Sequence, residues 1–147
     1  NRTTFYTHFQ SVKELIETLE SEVWIELIVL IKKSEKDMHY YQHQIFFDVY
    51  RLAFQYYQLF DLLLIKNADP EFVEKVYRLG KTAFRSSYDK ALVIKEETYM
   101  DYYYISVLNS FIGIMKLWFT HNMRETPDQM AEITKGIITS GIQYITK

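Results

Sequence analysis

The 147-residue chain is 48% hydrophobic, enough for one core, while Gly 4 and Pro 2 leave little room for a sheet built on tight turns, so the expected class is all-α. A formal net charge of -2 excludes a molecule that holds nucleic acid by general phosphate neutralisation, which needs a basic surface. Cys 0 excludes disulfide frameworks, thiolate metal sites and cysteine nucleophiles, and fits a reducing, cytoplasmic setting.

The chain opens NRTTFYTHFQSVKELIETLE. Thr3, Thr4, Tyr6, Thr7 and His8 place hydroxyls and an imidazole on a short helix, and Phe5 and Phe9, four apart, share its buried side. Such polar groups donate and accept in nucleic-acid grooves. Ser11 followed by Glu14 has the spacing of a capping box and predicts a new helix start. Val12, Leu15, Ile16, Leu19, Val23, Leu27 and Ile31 then form one apolar stripe, which predicts a long helix to about Lys33. A charged connection over 32–37 leads to a second helical region over 40–65, with room for a break at 55–58. Asp69 before Pro70 predicts an N-cap and first-turn proline. Another long helix is expected over 96–121, and Thr126, Pro127 and Gln129 combine a capping box with an N1 proline at the start of the last one.

The stretch 102–119 is apolar on nearly every side but interrupted by Ser106, Asn109, Ser110, Gly113 and Lys116, too polar for a span of about 20 apolar residues. A helix hydrophobic all round must be covered all round, which points to a partner chain. Gly136, Ser140 and Gly141 offer small residues for close helix approach. Phe111, Met115, Ile133, Gly136, Ile137, Ser140, Gly141 and Tyr144 are therefore the expected homodimer interface. With Tyr 13 and Phe 10, the interior is rich in aromatics. Tyr50, Phe54, Phe84, Tyr103 and Trp118 are expected to wall an effector pocket, the alternative being plain core. His39 and His43, four apart, have a metal-compatible spacing, but a solvated helix face accounts for them, so no metal site is expected. No phosphate loop, nucleophile elbow or H-E-x-x-H motif occurs, so no catalytic residue, cofactor or enzyme activity is expected.

Thr4, Phe5, Tyr6, His8 and Phe9, followed by Ser11, Glu14 and Leu15, resemble the end of the recognition helix and the start of the next helix in the TetR/AcrR family of bacterial transcription regulators. The pattern departs at Val12, where the family usually carries a phosphate-pairing lysine, so Lys13 stands in for it. The resemblance implies a remnant of a helix-turn-helix over 1–10 and a C-terminal regulatory and dimerisation domain over 11–147. Arg2, Thr3, Thr4, Tyr6, His8 and Lys13 are the implied DNA contacts. The chain begins with asparagine, so a truncated or processed product is expected. The last two helices are implied to pair with their counterparts in a four-helix dimer interface. The segment from Tyr102 to Ile133, with Trp118-Phe119 at the end of one helix and the Thr126-Pro127 start of the next, also resembles a Gram-positive subgroup, some members of which respond to a protein. The expected partners are thus a second copy, DNA in the intact protein, and a small-molecule or protein effector, without a membrane. The alternative is a helical protein-interaction module, or a coactivator controlled by a protein partner.

Overall fold

The computed structural model describes residues 11–37, 39–40, 44–88 and 96–146, leaving out the side chains of 86–88 and 144–145. Six α-helices carry the described chain: α1 (Val12–Lys36), α2 (Ile45–Gln55), α3 (Tyr57–Asp61), α4 (Pro70–Tyr88), α5 (Glu97–Thr120) and α6 (Pro127–Ile145). A π-helical turn, Leu62–Lys66, joins α3 to α4.

Local chemistry sets the helix ends. The Ser11 side chain accepts from the Glu14 amide at 3.1 Å and starts α1. Asp69 Oδ1 accepts from the Glu71 amide at 2.9 Å ahead of Pro70. At α6 both halves of the expected capping box form, Gln129 N to Thr126 Oγ1 at 3.2 Å and Thr126 N to Gln129 Oε1 at 2.9 Å. The expected break in the second helical region falls at Tyr56, between α2 and α3. Among the remaining boundaries, α1 runs three residues past the expected Lys33, and its last carbonyls are capped by the Asp37 amide.

α2 lies along α6, α1 packs on α4 and α2, and α5 packs on α6 and α4. These contacts build two apolar clusters. One gathers Val23, Tyr50, Phe60, Phe72, Met115 and Trp118; the other gathers Phe84, Met100, Tyr103, Tyr104, Leu108 and Ile138. Phe46 and Val76 border both, so the two clusters meet along a seam between α2 and α4. No helix among the described residues is long and apolar enough to cross a membrane.

Candidate functional site: an outward helix face and a seam cavity

Two features stand out above ordinary core and solvated surface. The first is the outward face of the α5–α6 pair. On α5, Tyr102, Ser106, Ser110, Gly113 and Leu117 fall on one stripe and are all exposed, Tyr102 to 75% and Leu117 to 56%. On α6, Ile133, Gly136, Ile137 and Ser140 do the same, the two isoleucines exposed to 48% and 52%. None of these nine side chains is charged. Between the helices runs a groove of about 570 Å³ lined by Tyr102, Tyr103, Ser106, Ser110, Ile137 and Gly141, among others.

The four glycines separate into two kinds. A Cβ on Gly80 would lie 3.0 Å from the Tyr104 hydroxyl, and one on Gly141 would lie 2.9 Å from the Tyr103 ring. Those two are small because this chain packs against them. A Cβ on Gly113 or Gly136 would meet nothing within 4 Å. Glycine inside a helix costs about 1 kcal/mol against alanine, and at these two positions no contact among the described residues explains it.

The second feature is a cavity of about 130 Å³ on the seam between the clusters. α1 supplies Leu27 and Ile31, α2 supplies Ile45, Phe46 and Val49, α4 supplies Val76, Leu79, Gly80, Ala83 and Phe84, and α5 supplies Tyr104, Val107, Leu108 and Phe111. Among the described residues its one polar side chain is Tyr104, whose hydroxyl donates to the Tyr77 carbonyl of α4. Burial holds that phenol well above its ordinary pKa, so it stays neutral.

The expected pocket residues fall into two groups, Tyr50 and Phe54 against Trp118 and Phe84 against Tyr103, rather than around one space. Only Phe84 lines the seam cavity. Tyr50 and Trp118 are core, 0% and 1% exposed, with the Tyr50 hydroxyl on Thr134 Oγ1 at 2.7 Å and the Trp118 indole donating to the Glu125 carbonyl at 3.0 Å. Tyr103 donates to the Ile138 carbonyl at 2.7 Å and faces the α5–α6 groove, and Phe54 is 48% exposed beside Trp118. The cavity walls that sequence reasoning missed, such as Leu27, Val49, Ala83 and Val107, are ordinary apolar residues whose pattern is that of core.

The expected interface set divides similarly. Ile133, Gly136, Ile137 and Ser140 share the outward face, whereas Met115 is 1% exposed and sits in the chain's own core. Phe111 is half-buried against Tyr50 and Phe46, and Gly141 is occupied by Tyr103. The Tyr144 side chain lies outside those described. Sequence reasoning missed Tyr102, Gly113 and Leu117 as members of this face, because an all-round apolar helix gives no sign of which side turns outward.

Of the expected DNA contacts, Arg2, Thr3, Thr4, Tyr6 and His8 lie outside the described residues. Lys13 is exposed and 3.7 Å from Glu17 one turn on. His39 is exposed and His43 lies outside the described residues, among which no group of three potential metal ligands occurs.

A family model described as a transcriptional regulator C-terminal region matches residues 42–140, from the approach to α2 into the last turns of α6. It spans about two thirds of the chain, including the outward stripes of α5 and α6 and the α2, α4 and α5 walls of the cavity, and leaves α1 outside. No curated protein and no solved structure matches. The all-helical architecture agrees with that match, and the chain belongs to the TetR-type family of transcriptional regulator C-terminal regions.

Proposed function

We propose that the chain is the dimerisation and effector-sensing part of a DNA-binding transcription regulator. The observation that carries this reading is the outward α5–α6 face, whose stripes Tyr102 to Leu117 and Ile133 to Ser140 carry no charge and which is open at Gly113 and Gly136. Two copies of that face, related by a two-fold axis, form a four-helix interface in which each patch meets its own counterpart. Small residues in its middle let backbones approach, and Tyr102 and Leu117 close its ends.

Effector sensing belongs to the seam cavity. α1 contributes Leu27 and Ile31 to its wall, and the same helix starts at Ser11, directly after the segment whose sequence has the DNA-reading pattern. A molecule that fits the cavity better in one setting of α1 shifts the population toward that setting. Two recognition helices in a dimer must stand about 34 Å apart to enter successive major grooves. A small tilt of α1 in each copy changes that separation and thereby the affinity for DNA.

Light scattering at tens of micromolar tests the dimer. The wild-type chain is expected at twice its 17.8 kDa mass. Gly136→Leu is expected to be a folded monomer, since the new side chain enters open space within its own chain. A monomeric wild type would overturn the reading, because stable homodimer interfaces bury on the order of 2,000 Å² or more and hold at that concentration.

A further inference from the structure

We infer that the seam cavity takes a small, uncharged, apolar molecule about the size of one aromatic ring. This rests on the reading of the cavity as the effector site, and it concerns what chemistry the walls accept.

Among the described residues, the lining of the cavity contains no Asp, Glu, Lys, Arg or His. A charged ligand would give up its hydration and meet no counter-charge, which is the costliest form of burial. Hydrogen bonding is nearly as restricted. The Tyr104 proton is committed to the Tyr77 carbonyl, and Gly80 is what lets that hydroxyl come so close to α4. What remains is one phenolic oxygen with acceptor capacity left. A polyol, amide or carboxylic acid would therefore be left with unmet groups, whereas a hydrocarbon or a ring with a single donor would not.

The volume fixes the size. About 130 Å³ is close to the roughly 150 Å³ of dry apolar cavities that accept benzene. Position gives the ligand leverage. A ring in this space touches α1, α2, α4 and α5 at once, on the seam where the two clusters are joined by little besides Phe46 and Val76.

The test uses the 147-residue chain, with toluene and indole as neutral probes and benzoate and benzylammonium as charged probes of matching shape. Toluene and indole are expected to raise the melting temperature and to move the methyl resonances of Leu27 and Val107. Ala83→Leu and Val49→Phe each fill the cavity from a different helix and are expected to weaken that binding at least tenfold. Should either variant fail to fold, the other carries the comparison. Equal binding of benzoate or benzylammonium, with the same methyl shifts, would overturn the ligand class and leave the sensing site standing. No methyl shift from any probe at millimolar concentration would show a packing void, overturning both the ligand class and the cavity's sensing role. The dimer reading is measured separately by light scattering.

Discussion

Tyr50 shows how a polar atom is made safe in this core. Its ring packs edge-on against Trp118, with centroids 5.5 Å apart, and tilts against Phe111 at 5.3 Å. Its hydroxyl, fully buried, shares a 2.7 Å hydrogen bond with Thr134 of α6. Burial pushes the Tyr50 phenol up to about 12, with the Thr134 bond opposing that rise, so the group stays protonated near neutral pH and has no acid–base role there. Because α2 and α6 form the most extensive helix pair, this bond fixes how one slides along the other. Tyr50→Phe leaves the Thr134 hydroxyl without that partner and is expected to cost about 1–2 kcal/mol in urea denaturation. Adding Thr134→Val removes the stranded hydroxyl and is expected to recover part of the loss. Strict additivity of the two changes would show that the hydroxyls are not coupled. The turn between α5 and α6 is held in the same local manner. Asn122 and Met123 adopt left-handed backbone, φ 55° and 52°, and the Trp118 indole bond to Glu125 spans the bend. The angle between the two helices of the outward face is thus set within the chain.

At the level of the helices, the glycines make a prediction whose sign depends on association. Gly113→Ala and Gly136→Ala add a methyl to open space in a better helix former, so an isolated copy is expected to gain up to about 1 kcal/mol. In the proposed dimer the same methyls would stand where the partner's backbone approaches. Their dimer dissociation constants are expected to rise at least tenfold, measured by sedimentation over a dilution series. Gly141→Ala is the contrast: its Cβ would meet the Tyr103 ring at 2.9 Å, and that ring is tethered to the Ile138 carbonyl, so stability falls at every concentration. A tighter dimer in Gly136→Ala would place the contact elsewhere. Helix starts at Ser11, Asp69 and Thr126 were legible in the sequence because a cap is a property of three or four consecutive residues. The face of α5 was not. Met115 and Leu117 are two positions apart and equally apolar, yet one is core and the other 56% exposed, a difference made by where α2 and α6 happen to lie. The π-helical turn at Leu62–Lys66 left no signal either, its LLLIK sequence being ordinary helix former throughout.

In the molecule as a whole a cavity and an outward face share α5, and neither was written in any one segment. Four helices each give the cavity a few apolar residues, and on each helix those residues continue a core stripe, so only the assembled packing separates a cavity wall from filled core. Two of the five aromatic residues expected to wall a pocket, Tyr50 and Trp118, fill the first cluster instead. α5 connects the two features: Tyr104 and Leu108 face the cavity, while Ser106, Ser110 and Gly113, interleaved with them, face outward. If the outward face is completed only by a second copy, folding and association are one process, and the melting temperature depends on protein concentration. Each tenfold dilution then removes about 1.4 kcal/mol from the dimer's stability. For a molecule of this size that corresponds to roughly 2–3 °C per tenfold step. Calorimetry from one to one hundred micromolar is expected to show a steady rise of that slope for the wild-type chain and a flat line for Gly136→Leu. A wild-type melting temperature unmoved over that hundredfold range would mean that the α5–α6 face contributes nothing to the native state, and that its apolar residues are covered in some other way.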